Sequence, residues 1–397
     1  MNTFRRNIPL LATSQALMMS SMSLLLTATA LVGLELAPDK SLATLPLAVI
    51  FIAVMLTSIP AAMLMERIGR KPAFMFSTIF GMAGGVTATI AIFSQNFWLF
   101  VLSGVLVGMF NAFGNYFRFA AADSVEPELK SKAISAVLIG GVVAAVVGPN
   151  LANLTRDSVS GVMFAGSYIS VIALYLITLV VLAFLKLPHR NHSEHRQGTD
   201  KGRPLFVIAR QPKFIVAILC AMLGYGVMSF VMTATPLAMH SHAHSFSDTS
   251  FVISWHVLGM FAPSFFTGHL IDRYGVLRIM FIGGLLGIGC VSVNLLGNTV
   301  THYWIGLTLL GVSWNFLFIG GTSLLTETYQ PEERGRAQAM NDFIIFTTVA
   351  VASLTAGALQ HNLGWQVVNL GVIPLLGIIL MSILWLDIKL RKEEVTV

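Results

Sequence analysis

Long, uninterrupted apolar segments constrain this chain more than any other feature of its sequence. Two of the clearest run from Phe164 to Leu185 and from Val367 to Leu386, and a helix needs about 20 apolar residues to cross a bilayer. Strands of a transmembrane barrel would be shorter and would alternate apolar with polar residues. Only 11% of the 397 residues are charged, against about 25% in soluble domains. The sequence therefore predicts an all-α, multi-pass membrane protein.

Twelve spanning helices can be placed on the sequence, in two groups of six. The predicted spans are 8–36, 42–65, 73–94, 97–122, 133–155, 161–187, 213–239, 249–271, 277–297, 302–326, 337–359 and 366–388. The connection between the sixth and seventh spans, residues 188–212, is the only long polar stretch. We therefore predict an N-terminal six-helix bundle over residues 1–187, this central loop, and a C-terminal six-helix bundle over residues 213–397.

Lysine and arginine are distributed unevenly between the two ends of the predicted helices. With twelve spans both termini lie on one side of the membrane, and 21 of the 24 Lys and Arg residues fall on that side. Only Lys40 and Arg156 lie on the other side, and Arg118 lies within a span. Because positively charged loops stay in the cytoplasm, both termini and the central loop are predicted to be cytoplasmic. The short loops are typical of a protein of the bacterial inner (plasma) membrane.

The two halves of the chain repeat one another weakly. The loop between the second and third spans reads Glu66-Arg67-Ile68-Gly69-Arg70-Lys71, and 206 residues later the chain reads Asp272-Arg273-Tyr274-Gly275. Around the loop between the fourth and fifth spans, five residues recur 204 positions later, among them Asp123 as Glu327. Two matching loops at nearly one offset indicate a duplicated six-helix unit in parallel topology.

At these loops the sequence resembles the major facilitator superfamily. The family's loop motif G-x-x-x-D-R-x-G-R-R reads here from Ala62 to Lys71, with Ala for Gly and Glu for Asp, and the second copy keeps Gly268 as well as its charged residues. The resemblance implies two six-helix bundles that alternate access to a central site. The resemblance to the family's drug/proton antiporters is weaker, because the helix 4 segment Gly104–Gly108 lacks their arginine, and a metabolite, a siderophore and a drug-like molecule all stay open as the solute.

The resemblance also implies a conformational latch at the cytoplasmic ends of the helices. In the family the motif arginine pairs with an acid at the end of helix 4, which corresponds to Arg70 and Asp123 here, and the second half offers Glu327 and Arg278. The tight turns require glycine, since the backbone must bend there without a Cβ. The alternative is ordinary surface charge that sets topology. The latch residues implied are Glu66, Arg67, Gly69, Arg70, Asp123, Asp272, Arg273, Gly275 and Glu327.

Arg118 is the sharpest candidate for a site residue. A charged side chain inside a span is costly and usually faces the bundle interior. Asn111 and Asn115 share its helix face, and the resemblance implies that helix 4 lines the central cavity. Arg118 is predicted to bind an anion or to form a gate with Asp342, and Asp342 could instead carry a proton. The alternatives are an arginine satisfied by nearby carbonyls and, for Asp342, a helix-start acid favoured by the helix dipole.

A histidine and a set of aromatic and polar residues complete the candidate site. His256 lies inside the eighth span, and because an imidazole titrates near neutral pH it could couple proton movement to transport; alternatively it hydrogen-bonds a neighbouring helix. A mixed aromatic and polar cavity wall is predicted, with helix packing as the alternative. Its members are Gln15, Tyr225, Met232, Trp314 and Asn315.

Motifs for other chemistry are missing from the sequence. There is no phosphate-binding G-x-x-x-x-G-K-[ST] loop, no zinc H-E-x-x-H motif and no basic face with interleaved aromatics. We expect no cofactor, no metal and no nucleic-acid partner. The histidines at 189, 192 and 195 and at 240, 242 and 244 are read as solvated polar loops, with weak metal binding as the alternative.

The sequence as a whole favours a secondary active transporter that works as a monomer in the lipid bilayer. Its expected partners are a small organic solute, with an anion favoured by Arg118, and protons as the coupling ion. One alternative is a transport-dead receptor or assembly partner on the same fold. Another is a membrane-embedded enzyme, but the spans show no catalytic dyad or metal cluster.

Overall fold

The computed structural model describes residues 3–126, 129–187, 202–330 and 332–395, and within these ranges it is helical with no strand. A short 3₁₀ helix covers Lys40–Leu42. The α-helices are α1 Thr3–Leu36, α2 Leu45–Ile68, α3 Arg70–Phe93, α4 Phe97–Gly114, α5 Phe117–Asp123, α6 Lys130–Leu138, α7 Gly140–Thr155, α8 Ala165–Ala183, α9 Leu205–Ala209, α10 Pro212–Ser241, α11 Phe246–Phe261, α12 Ser264–Tyr274, α13 Val276–Leu296, α14 Val300–Thr326 and α15 Arg334–Val395.

Membrane-spanning character is confirmed, while the number of spans stays a prediction. Over the described residues, 10 helical segments are long and apolar enough to cross a bilayer, and the pair α11 and α12, bent by 42°, makes 11 if it forms one span. The long helix α15 is interrupted at Gly364, where φ is 79°. That break falls between the predicted eleventh and twelfth spans.

The two motif loops each consist of a turn at one glycine. Gly69 joins α2 to α3 with φ of 86°, and Gly275 joins α12 to α13 with φ of 88°. A side chain in this left-handed region clashes with its own backbone, at a cost of about 1–2 kcal/mol. The predicted requirement for glycine at both turns is confirmed, and the two repeats share this local geometry.

Each repeat packs around its own hydrophobic core. One core draws chiefly on buried residues between Ile8 and Leu185, and the other chiefly on buried residues between Ile208 and Leu386. Tyr225 and Phe318 are partly buried and pack against both cores. The two repeats therefore meet at these side chains, although the predicted bounds of the two bundles stay a prediction.

The repeats also touch at the end that the charge distribution predicts to be external. The hydroxyl of Thr44 donates to the Leu354 carbonyl oxygen over 3.3 Å. The rings of Phe164 and Phe246 meet edge to face at 5.0 Å, with the Arg156 guanidinium 5.5 and 5.4 Å from their centroids. Side chains from both repeats thus close this end of the interface.

Candidate substrate site between the two repeats

A break in the fourth predicted span positions Arg118. Helix α4 ends at Gly114 and Asn115 forms its C-cap before α5 begins. Gly114 has no room for a Cβ because it packs against the Met18 sulfur of α1. Arg118 is half-buried in α5, its guanidinium carbon lies 4.8 Å from the Phe119 ring centroid, and its buried Nε has no hydrogen-bond partner in the described part of the chain. A cation inside a bundle without a full set of partners is available to a ligand.

Arg118 faces groups of the other repeat. It is close enough to Tyr225 of α10 and Asp342 of α15 to interact electrostatically with both. Among the described residues no atom pair brings Arg118 and Asp342 within the 4.0 Å of an ion pair. The Asp342 side chain is exposed and accepts a hydrogen bond from the Asn341 amide over 3.1 Å. The two opposite charges therefore flank the space between the repeats without neutralising each other directly.

Four aromatic side chains of the second repeat lie beside this charged pair, and we call them the aromatic group: Tyr225, Phe261, Trp314 and Phe318. The rings of Trp314 and Phe318 stack at 4.9 Å with 8° between their planes. Tyr225 meets Trp314 edge to face at 5.2 Å and Phe318 at 5.7 Å, and Phe261 lies 6.0 Å from Trp314. The indole Nε1 of Trp314 is buried and has no acceptor among the described residues. The arrangement suits a flat, aromatic ligand with hydrogen-bond acceptors.

The remaining predicted cavity residues differ in what they can offer. Gln15 of α1 is 7% exposed, and its Oε1 is buried without a partner in the described ranges. The side-chain amide of Asn111 donates to the Val107 carbonyl of its own helix over 2.9 Å. Asn115 is half-buried at the helix break, and Met232 is buried in the core of the second repeat. Gln15 and Asn115 therefore remain candidates for polar contacts, whereas Met232 serves packing.

Asn315 has the contacts that its packing alternative requires. It is fully buried, its Nδ2 donates to the Met260 carbonyl and to the Ser264 hydroxyl at 2.7 Å each, and its Oδ1 accepts from the Thr267 hydroxyl at 2.6 Å. Pro263 interrupts the helix between α11 and α12 because it has no N–H to donate. Asn315 thus bonds the two sides of the break to α14 and leaves no group for a solute.

His256 makes the hydrogen bond to a neighbouring helix that was the alternative to a role in proton coupling. The side chain is fully buried in α11, and Nδ1 donates to the Leu307 carbonyl of α14 over 2.8 Å, while Nε2 has no partner in the described part of the chain. Because a carbonyl oxygen can only accept, Nδ1 carries the proton of this bond. Its role in proton coupling stays a prediction.

The first of the two implied latch pairs is present as an ion pair. Arg70 Nη2 lies 2.6 Å from Asp123 Oδ2. In the second repeat the implied pairing of Glu327 with Arg278 is wrong, because Glu327 Oε2 instead binds Lys213 Nζ at 2.7 Å. Lys213 lies in the first turn of α10, and its side chain reaches the carboxylate of Glu327 at the end of α14. The mechanical role of both pairs stays a prediction.

The other charged motif residues are exposed. Glu66 and Asp272 make no side-chain hydrogen bond or ion pair within the described ranges. Arg67 is exposed as well, and the Arg273 guanidinium lies 5.3 Å from the Tyr274 ring centroid. These side chains lie at the helix ends, where surface charge sets topology.

The sequence did not indicate two sets of contacts: an ion pair with a buried carboxylate, and hydrogen bonds of the loop histidines. The carboxylate of Glu333 is fully buried and binds Arg203 at 2.7 Å, although the two lie 130 residues apart. In the loop after α10, which is predicted to be external, His242 Nδ1 shares a hydrogen bond with the Tyr303 hydroxyl at 2.8 Å and His244 Nε2 donates to the Asn298 carbonyl at 2.6 Å. The histidines at 189, 192 and 195 lie outside the described residues. Over the described ranges no three His, Cys, Asp or Glu side chains gather as metal ligands.

Comparison with known proteins agrees with this architecture. The family model described as Major Facilitator Superfamily matches residues 11–234 and 217–396. The riboflavin transporter RfnT of Brucella anthropi is 42% identical over 96% of this chain and 95% of its own length. YddS, an uncharacterized MFS-type transporter of Bacillus subtilis, is 24% identical over 98% and 93% of the two chains.

Solved structures share the fold. The crystal structure of the nucleoside transporter NupG is 14% identical, with a TM-score of 0.71 over 94% of this chain and 99% of that one. The chain belongs to the major facilitator superfamily. It is a membrane transporter of a small molecule and not an enzyme.

Proposed function

We propose that this chain transports riboflavin across the bacterial plasma membrane by alternating access between its two repeats. The 42% identity to RfnT along nearly the whole chain carries this proposal. The aromatic group gives it a physical basis, because a flat isoalloxazine ring can stack on aromatic faces. Its place beside the junction of the two repeats is where a transporter of this architecture holds its substrate.

The polar groups around the aromatic group match the rest of the riboflavin molecule. One edge of its ring carries carbonyl oxygens, and Arg118 and the Trp314 indole N–H are donors without a full set of acceptors. The ribityl chain carries hydroxyls, for which the amides of Gln15 and Asn115 are suitable partners. Because riboflavin is uncharged near neutral pH, Arg118 acts in this proposal as a donor to neutral oxygens. The anionic solute expected from the sequence is then unnecessary.

We infer that protons drive the transport and that Asp342 carries them. Its exposed carboxylate lies within electrostatic reach of Arg118 of the other repeat, so its protonation would change the attraction between the repeats. His256 is less suited, since it is fully buried and already bonded to a backbone carbonyl.

Flavin fluorescence offers a direct test of the substrate. Riboflavin emission should be quenched when it binds to the purified protein, and Trp314→Ala should weaken binding. Stacking of a heterocycle on an aromatic side chain is worth about 1–3 kcal/mol, which predicts a loss of roughly 5- to 150-fold in affinity.

Trp255→Ala is the matched control for this experiment. Trp255 is also a tryptophan of the second repeat, but it is 37% exposed and packs on Trp304, outside the aromatic group. It should keep the wild-type affinity. No binding by the wild-type protein would refute riboflavin as the substrate, and equal affinities of the two variants would refute the aromatic group as its site.

A further inference from the structure

The short helix α9 presents apolar side chains outward although it lies outside every spanning segment. Phe206 is 63% exposed and Val207 is 47% exposed. On the opposite side of the same helix Ile208 is fully buried in the core of the second repeat. The guanidinium of Arg210 lies over the Phe206 ring, 3.9 Å from its centroid. Helix α9 therefore has a buried side and an outward side made of Phe206, Val207 and Arg210, which we call the α9 face.

An ion pair between Arg203 and the buried Glu333 carboxylate fixes the chain immediately before α9. The Glu333 carboxylate accepts from the Arg203 backbone N–H at 2.6 Å, from Arg203 Nε at 2.9 Å and Nη2 at 2.7 Å, and from the Gln330 N–H at 3.0 Å. These bonds, led by those from the Arg203 side chain, lower the pKa of Glu333 to about 2. Gly202, with φ of 58°, packs directly against the Glu333 side chain. The contact stays charged at every physiological pH.

A second set of bonds fixes the chain after α9. Gln211 donates from its side chain to the Thr328 carbonyl at 2.9 Å, and Arg203 Nη2 donates to the same oxygen at 3.0 Å. Both ends of α9 are thus tied to the loop between α14 and α15. The outward orientation of the α9 face is consequently imposed by the fold.

The position of α9 places this face at the membrane surface. The candidate span of α10 begins at Pro212, three residues after the last residue of α9, so the C-terminal end of α9 lies within about 10 Å of the start of the span. The headgroup region on each side of a bilayer is about 5–8 Å thick. This is also the side carrying the central connection, which the charge distribution predicts to be cytoplasmic.

We propose that the α9 face is a membrane-surface anchor that binds anionic phospholipid of the leaflet on this side. Phe206 and Val207 insert at the boundary between headgroups and acyl chains, as the apolar side of an interfacial helix does. Arg210 lies along the ring of Phe206 and reaches a lipid phosphate, an anion that a guanidinium binds well. Within the described ranges the Arg210 side chain makes no hydrogen bond or ion pair that would compete. The anchor holds α9 against the bilayer at the end of the central loop, and Arg203 and Gln211 connect it to the loop between α14 and α15.

Depth-dependent quenching in vesicles tests this anchor. A polarity-sensitive fluorophore is attached to Phe206→Cys, with Val207→Cys as a second position and Glu332→Cys as the control, in full-length protein whose buried Cys220 and Cys290 are replaced by Ala. Glu332 is exposed on the loop that holds α9. The vesicles contain phosphatidylethanolamine with phosphatidylglycerol, or phosphatidylcholine alone, with nitroxide-labelled lipid as quencher.

At either α9 position the fluorophore should emit at shorter wavelength and be quenched several-fold more strongly by shallow nitroxide lipid than at Glu332. Phosphatidylglycerol should strengthen the quenching, and Arg210→Gln should remove that difference. Equal quenching at all positions would overturn the anchor. Shielding of the fluorophore from water in native membranes but not in the vesicles would also overturn it, since that result points to a protein partner. Persistent dependence on phosphatidylglycerol in Arg210→Gln would overturn the assignment of the phosphate to Arg210.

Discussion

Replacing Asn315 by alanine removes the side chain that joins α14 to both sides of the break between α11 and α12. Three hydrogen bonds of 2.6–2.7 Å are lost at once, and the Met260 carbonyl and the Thr267 hydroxyl lose a buried partner. Hydrogen bonds between membrane helices average about 0.6 kcal/mol, and buried bonds in soluble proteins contribute about 0.5–1.5 kcal/mol each. The variant should therefore lose about 2–4 kcal/mol of unfolding free energy.

Asn111→Ala provides the matched comparison. Asn111 is 7% exposed and its amide makes one bond, to a carbonyl of its own helix, so this variant should lose about 1 kcal/mol or less. Equilibrium unfolding of both variants in mixed micelles, with the wild type alongside, gives the two differences directly.

Riboflavin binding by the folded protein separates structure from substrate contact. Asn315→Ala should keep wild-type affinity below its unfolding transition, because Asn315 has no free polar atom to offer. If Asn315→Ala were as stable as Asn111→Ala but bound riboflavin poorly, Asn315 would belong to the cavity wall. That result would refute the conclusion that Asn315 only joins the helices.

Three further predictions concern charged and titratable groups. Arg118→Ala should weaken riboflavin binding by roughly ten- to a hundredfold, since a hydrogen bond to a charged group contributes about 1.5–3 kcal/mol, and unchanged affinity would remove Arg118 from the site. Asp342→Asn should flatten the pH profile of uptake into proteoliposomes whereas His256→Gln should preserve it, and the reverse result would return coupling to His256. The double variant of Arg70→Ala and Asp123→Ala should transport little worse than either single variant, whereas additive losses would show that the ion pair does not act as a unit.

Features that depend on local chemistry were predictable from the sequence. The glycine turns at Gly69 and Gly275 follow from a steric rule that applies to any chain, and the apolar segments follow from the thickness of the bilayer. The pairing of Arg70 with Asp123 was available through the family resemblance. Each of these predictions needs only a few neighbouring residues or a known motif.

Features that depend on which helices meet were not predictable. Asn315 follows Trp314 on α14. The positions of these two residues in the sequence do not show that Asn315 lies beside the break at Pro263, where the Met260 carbonyl needs a donor. The bond between Arg203 and Glu333 joins residues 130 positions apart. Lys213 rather than Arg278 reaches Glu327 because α10 starts beside it, which is a property of the packed bundle.

The break at Gly364 has a mechanical consequence. The helix that carries Asp342 and touches Thr44 of the first repeat continues into the last helix with a single left-handed residue between them. Trp365, the next residue, is 3% exposed and packs on Tyr303 at 5.1 Å, so the chain is held directly after the break. We expect a tilt of the Asp342 helix to be transmitted through this one-residue connection to the C-terminal helix. A spectroscopic label near the C-terminal end of α15 would consequently respond to a movement of the Asp342 helix without contacting it. A flexible insertion at Gly364 should abolish that response.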